Sequence, residues 1–577
     1  MLALFKTTLP LALAIILTVV GMLVPAHLRS LDRQVVEAAA HDGQALQTVF
    51  EESVTAAHLG PTLLMRSATQ AEGSISNELA GRIEMLQEER PVYWLSGGAD
   101  RALEAFLKLV QSEASPTEAG RPHPILPQLL PRSQRASLSG MLESSSNANV
   151  AALLEARDIS GLTRLHPASH AAGAPYDGGI LTLALLIEGG HFRPAIARQI
   201  GQIATQAELG TRPAVAALED FTIATLSLGR QLDFRSLADL AAITESPNDW
   251  GRMATLFRAQ PERAAQLYAA LRFSGAVDPV FDYLAKHPES GADDLAVALQ
   301  NGPQATRELL QATLSIYRPK GLAALIQPYL VDYQPPGLIE WTRQHRETAL
   351  ALKLGLFLLA GFAFALAMGA AWRAGMHEIR PVSRTLPSVF ARNFFLSLVV
   401  GLTLWTFLEP DLLKSQNKSL SETGPRIEFA VADSLASLKS PVKAMQELDQ
   451  VTLLVLVLFF ILQLVIYCFC LIKLKEIGKQ RLSPALKLKL LDNEENLFDF
   501  GLYVGLGGTV LALILVAVGV VEASLMAAYA STLFGILFTA ALKVLNLRPY
   551  RRRLIMEAGA DNQSHRDPEN LMTNIKL

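Results

Sequence analysis

The sequence predicts an all-α, polytopic membrane protein. A large extracytoplasmic, solenoid-like helical domain sits between an N-terminal membrane segment and a C-terminal transmembrane helix bundle. Three observations predict this: apolar runs long enough to cross a bilayer, an uneven spread of Lys and Arg between them, and a long middle region of capped amphipathic helices. The 577 residues suffice for two or more domains at the usual ~100–200 residues each. Half of them are hydrophobic and only 18% charged, against roughly 25% in a typical soluble domain. A net charge of −3 without a basic stripe argues against nucleic acid as a partner. The only cysteines, Cys468 and Cys470, share one apolar run, so the middle region folds without disulfides.

Lipid cannot satisfy free backbone groups, so a crossing segment must be helical and about 20 residues long. Such runs lie at Leu9–Pro25, Leu354–Trp372, Phe394–Leu408, Val451–Ile472, Phe500–Val521 and Ala523–Leu542. The third is short and needs Arg392 and Glu409 to reach toward the headgroups. Cytoplasmic loops are enriched in Lys and Arg. Arg373, Arg380, Arg384 and Arg392 follow the second run; Lys473, Lys475, Lys479, Arg481, Lys487 and Lys489 follow the fourth; Lys543, Arg548, Arg551, Arg552 and Arg553 follow the last. The loop from Glu409 to Gln450 mixes acids and bases, and the turn at Glu522 carries no base. One topology satisfies every loop: six spans, both termini cytoplasmic, and the region between the first two spans outside.

The expected organisation is therefore a membrane anchor at 1–26, an outer helical hairpin at 27–111, a linker at 112–147 and an outer helical array at 148–348. Spans two and three follow at 349–410, an outer loop at 411–450, the last three spans at 451–545 and a basic cytoplasmic tail at 546–577. The anchor has a rival reading as a signal peptide, because Lys6, an apolar stretch and Val24-Pro25-Ala26 resemble a cleavage signal. The length of the apolar stretch and the helical pattern resuming at Leu31, Val35, Leu46, Val49 and Phe50 favour an uncleaved anchor.

In the array, helices open at Asp233-Phe, Ser246-Pro, Gln260-Pro, Val277-Asp-Pro and Gly302-Pro. Proline fits the first helical turn because its missing N–H has no partner there anyway, and Ser or Asp beside it caps the free amides. The 112–147 stretch, with Ser115-Pro, Arg121-Pro-His-Pro, Leu126-Pro, Leu130-Pro and Ser144-Ser-Ser, has the composition of a linker.

Chemistry is sparse. His166 and His170 are four apart, a metal-pair spacing on a helix, but Pro167 and Gly173 favour a polar loop and no acid or cysteine completes a site. His191 follows Gly189-Gly190 and reads as a turn residue. No hydrolase, phosphate-loop or zinc-protease motif is present, and Gly501, Gly505 and Gly508 lie inside an apolar run rather than a dinucleotide loop. No cofactor or metal is expected, nor an enzyme. The last three spans carry almost no ionisable group, with Glu522 at the turn and lysines at the ends, but they hold Thr509, Ser524, Ser531, Thr532 and Thr539 with Gly505, Gly507, Gly508 and Gly535. Small residues and hydroxyls of this kind pack membrane helices closely, which is the plain account of them.

A sharper account comes from resemblance. Gly505-Leu-Gly-Gly-Thr-Val510 is similar to the Gly-Leu-x-Gly-Thr-Val signature of the MotA/TolQ/ExbB proton-channel family, and Ala530-Ser-Thr-Leu-Phe-Gly-Ile-Leu537 resembles that family's third span. The match covers under a fifth of the chain, and the connector Lys473–Asp499 is much shorter than the family's cytoplasmic segment. The resemblance implies a homo-oligomeric ring around a single-span TolR/ExbD/MotB-like partner that carries a membrane aspartate. Thr509, Thr532 and Ser531 would then line the pore, and Gly505, Gly508 and Gly535 would pack the helices. Two other functions stand beside it: a non-catalytic scaffold whose outer array binds envelope proteins, and a transporter, which the lack of buried charge and of paired broken helices disfavours.

Overall fold

The computed structural model describes residues 2–40, 45–69, 77–110, 123–159, 164–319, 322–331, 333–375, 386–408, 450–480, 482–517 and 525–559. All of the expected outer loop 411–450 except Gln450, together with Glu522, Ser524, Arg380, Arg384 and the tail beyond residue 559, lies outside them. The fold is all-α. Among the described residues the strands are the two-residue β1 (Ser30–Leu31) and β2 (Ser315–Ile316), which pair in parallel. The chain divides into two compact units, Ser30–Tyr317 and the remainder, Met1–Arg29 with Arg318–Leu577.

The Ser30–Tyr317 unit is built on the helix starts read from sequence. Asp233 caps helix Phe234–Ile243, its carboxylate accepting from Ser236 N–H at 2.8 Å. Pro247 opens helix Pro247–Ala259, where the Asp249 carboxylate accepts from Ser246 N–H at 2.7 Å. Gly302, at φ +97°, precedes the Pro303–Ala312 helix in a conformation an L-side chain would strain. Helices Pro194–Glu208, Arg212–Gly229 and Pro247–Ala259 stack in succession, as an array of helical pairs does.

The expected separate hairpin and linker differ from what is found. Helix Leu59–Thr69 packs on helices Ala264–Ser274 and Gly291–Gln300, and helix Arg33–Ala39 packs on Pro303–Ala312. Residues 123–147 form two helices, Ile125–Gln128 and Arg132–Leu142, and Ile125, Leu129, Leu138 and Leu142 join the same core as Phe50, Leu63, Leu218 and Phe273. Pro124 and Pro131 stand at the N-caps of those helices, so proline here starts structure rather than interrupting it. Residues 318–348, assigned from sequence to the outer array, group with the other unit.

In that other unit each of the six expected spans overlaps a helix among the described residues, numbered in chain order: α1 (Leu2–Leu23), α2 (Arg346–Gly375), α3 (Leu386–Leu408), α4 (Gln450–Lys479), α5 (Phe500–Ala517) and α6 (Leu525–Ala541). By length and composition two helical stretches of the described residues are sufficient to cross a membrane, Arg346–Ala371 and Tyr529–Gly559; Thr7–Leu23, Asn393–Leu402 and Phe500–Val510 are shorter apolar helices. Among the described residues the chain continues as helix beyond α6. It passes through a π-helical turn, Leu542–Leu547, and stays helical to Gly559.

Helix α1 packs along α2, and α2 along α3. Gly21 lets the Phe357 ring approach: a Cβ there would stand 2.6 Å from it. Arg346 donates to the carbonyls of His27 and Leu28 at 2.8 Å each, and the buried Lys353 Nζ to that of Ala26 at 2.6 Å. Cations thus satisfy carbonyls just beyond the C-terminal end of α1, where the helix dipole favours positive charge. Helices α4, α5 and α6 form a second group, with α5 against α6 and α4 against both.

Candidate functional site: a polar seam in the last three apolar helices

The helices α5 and α6 meet where glycine removes the side chains between them. A Cβ on Gly505 would lie 2.8 Å from the Ser531 carbonyl and 3.1 Å from Gly535 Cα, and one on Gly535 would lie 2.8 Å from the Gly501 carbonyl. A Cβ on Gly508 would meet Ser531 Oγ at 2.6 Å. Gly507, two residues from Gly505, faces open space. The packing glycines picked out by sequence therefore do share one contact. Such close approach suits helices in lipid, where dispersion and hydrogen bonds must supply the adhesion that water supplies elsewhere.

The hydroxyls lie on the same contact. Thr509 and Thr532 are hydrogen-bonded to each other across it. Thr509 also donates to the Gly505 carbonyl at 3.1 Å, and Thr532 stands 3.4 Å from that carbonyl. Ser531 is fully buried beside them. The outward faces of the two helices are apolar, with Tyr503, Leu506, Val510, Leu533, Ile536 and Leu537 exposed. In the single chain, then, Thr509 and Ser531 face helix neighbours, and Thr532 is half-buried at their edge.

Sequence reading missed Gln463 of α4. Its side chain is fully buried, and its Nε2 donates to the Gly501 carbonyl at 3.0 Å, tying α4 to α5. The signal was present: Gln463 is the one amide in the Val451–Ile472 run. Beyond it, Asn546 in the π-helical turn donates to Tyr467 Oη at 2.9 Å, and Lys543 pairs with Asp499 at 2.7 Å. The seam thus passes from paired hydroxyls, through a buried amide, to an ion pair at the basic end of the helices.

The Ser30–Tyr317 unit holds a different kind of cluster. Asp100 lies 2.8 Å from His191 Nε2 and 3.3 Å from Arg235; Arg235 also pairs with Asp239 at 2.8 Å. Asp239 takes Arg272 at 2.8 Å and the Tyr268 hydroxyl at 2.7 Å. Burial pushes the Asp100 carboxyl up, but His191 and Arg235 outweigh it and hold the group below its usual range. Burial, with Arg235 close by, lowers His58 to about 4, so that imidazole is neutral at pH 7. Asp100, His191 and Arg235 border a cavity of about 640 Å³ together with Ser145 and Glu188. His191 follows the Gly189-Gly190 turn as expected, but the turn delivers it into this charged cluster. His166 and His170 lie off any helix, their rings stacked 4.4 Å apart in an exposed loop.

Compared with known proteins, the chain matches no family model, no curated protein and no solved structure.

Proposed function

We propose that the chain is a multi-pass inner-membrane subunit of the proton-channel type. In this reading α4, α5 and α6 of several copies surround the membrane helix of a TolR/ExbD/MotB-like partner, and ion flow there drives work by the helical unit outside. The observation that carries it is the polar seam. Hydroxyls of Thr509 and Thr532 pair across two helices that hold no Asp, Glu, His, Lys or Arg from Phe500 to Ala517 or from Leu525 to Ala541. Groups of that kind can pass a proton but cannot store one at neutral pH, so a titrating carboxylate has to come from another chain. Six spans, with the basic connectors cytoplasmic, belong to the same reading.

The test replaces Thr509 and Thr532 together with valine, which keeps the volume and removes both hydroxyls. Proton flux is followed with a pH-sensitive dye in inverted vesicles from cells expressing the chain with its neighbouring genes. Flux falling to the level of vesicles lacking the chain is the expected result; unchanged flux sinks the channel reading. The cavity beside Asp100, His191 and Arg235 favours a second reading, a membrane-anchored scaffold that binds envelope components, and unchanged flux would leave that one standing.

A further inference from the structure

The amide of Gln463 is only half accounted for by its bond to α5. The side chain is fully buried, Nε2 is used, and Oε1 meets no donor from the protein. A buried amide oxygen without a donor is costly, and more so among apolar helices than near water. The surroundings show where its partner would sit. A Cβ on Gly501 would stand 2.9 Å from Thr539 Oγ1 and 3.1 Å from Gln463 Oε1, so both oxygens converge on the space this glycine leaves open. A cavity of about 10 Å³, bordered by Gln463, Tyr467, Cys470, Gly501 and Thr539, occupies the same place. That is roughly the space one water molecule needs.

We infer that Gln463, Thr539 and Gly501 form a binding site for a single water molecule between α4, α5 and α6. The hydrogen-bond count suits water better than any larger ligand. Water donates to Gln463 Oε1 and, with its second proton, to a backbone carbonyl, while accepting from the Thr539 hydroxyl. Methyl-sized apolar groups would fill the space and leave the amide unpaired. Along the helices the site lies between the Thr509–Thr532 pair and the Tyr467–Asn546 bond, so the water adds a polar group to that stretch of the seam. Its role as a step in a proton path rests on the channel reading proposed above; the water site itself does not.

The experiment is hydroxyl-radical footprinting of the full chain in native-lipid vesicles by X-ray radiolysis and mass spectrometry. Radicals formed from a bound water oxidise the side chains around it, here Cys470 and Tyr467. Two variants remove the site differently: Gly501→Ala fills it, and Gln463→Met removes its acceptor at similar volume. Oxidation of Cys470 and Tyr467 in the wild type should fall by about an order of magnitude in Gln463→Met, which takes away one of the partners that a buried water needs. Gly501→Ala should give the same loss if it assembles. Absent oxidation in the wild type, or equal oxidation in wild type and Gln463→Met, overturns the water site whatever the flux. Proton flux in the same vesicles separates the two ideas. Labelling lost with flux unchanged leaves the water site in place and counts against the channel reading.

Discussion

The Ser30–Tyr317 unit and the contact between α5 and α6 bury polar groups by different means. In the Ser30–Tyr317 unit three buried carboxylates are answered by cations: Asp100 by Arg235 and His191, Asp239 by Arg235 and Arg272, Asp177 by Arg135 and Arg157 at 2.7 Å each. At the contact of α5 and α6 the buried pairing is between hydroxyls: Thr509 and Thr532 answer one another, and Thr509 also donates to the Gly505 carbonyl one turn back on its own helix. On the membrane placement proposed above, the reference solvent accounts for the difference. A charge network is tolerable where the alternative is water and the partners are preorganised. Among helices facing hydrocarbon a lone carboxylate is far more expensive, so uncharged groups and bare glycine backbone do the joining. What this teaches is that the first unit's weak point is a missing charge and the second's is added bulk.

The largest expected effect tests the first half of that statement. Arg235→Met leaves Asp100 and Asp239 without their shared guanidinium, and breaking a buried pair costs roughly 3–5 kcal/mol. Thermal unfolding of the full chain, read by protease sensitivity within residues 30–317, should show a large drop in midpoint. A shift no larger than that of an exposed Arg→Met control would mean that the network contributes little, and the comparison would fail on this side.

Added bulk is the next test. Gly505→Val sets a branched side chain against the Ser531 carbonyl and Gly535, and overpacking of this kind costs about 1–3 kcal/mol. Gly507→Val, at a position facing open space, is the matched control. Size-exclusion profiles of detergent-extracted protein after heating should separate the two variants. If both behave like the wild type, α5 and α6 do not depend on close backbone approach.

The smallest effect sharpens the comparison within the charged unit. His58 has its pKa lowered by burial from 6.5 to about 4. Its contribution to stability is therefore present above pH 6.5 and lost as pH falls toward 4. Asp233, fully buried, is raised by burial from 3.8 to about 6. Its contribution has the opposite sign: full below pH 3.8 and lost as pH rises through 6. The two oppose each other across nearly the same window. Asp233→Asn should steepen the acid loss of midpoint between pH 6.5 and 4, and His58→Gln should flatten or reverse it. Parallel curves for wild type and both variants would show that neither group titrates in that window.

Much of the helical plan was legible because its causes are local. Pro247 and Pro303 open helices where the sequence placed them, and the apolar runs fall on helices because nothing else can hide that much backbone and side chain together. The 112–147 stretch misled for an equally physical reason. Proline density looks the same whether the ring interrupts structure or caps it, and only the burial of Ile125, Leu129 and Leu138 tells the two apart. The charged cluster was not legible, since Asp100 and Arg235 lie 135 residues apart and meet only through tertiary packing. In the seam the glycines and hydroxyls could be picked out from a short motif. Gln463 could not be joined to them, because nothing in a linear string says which helix its amide will face.

One small feature has a large topological consequence. The β1–β2 ladder pairs Ser30 with Ser315 and Leu31 with Ile316, and Tyr317 N–H donates to the Leu31 carbonyl at 2.7 Å. Adjacent strands lie about 4.8 Å apart, so the polypeptide goes into this unit and comes out of it through one doorway. The whole of Ser30–Tyr317 is thus, in genealogical terms, a cassette: a stretch that can be gained, exchanged or lost by joining Arg29 to Arg318 without rerouting the remaining chain. Lineages could refit this unit and leave the apolar helices of the rest of the chain in their original order.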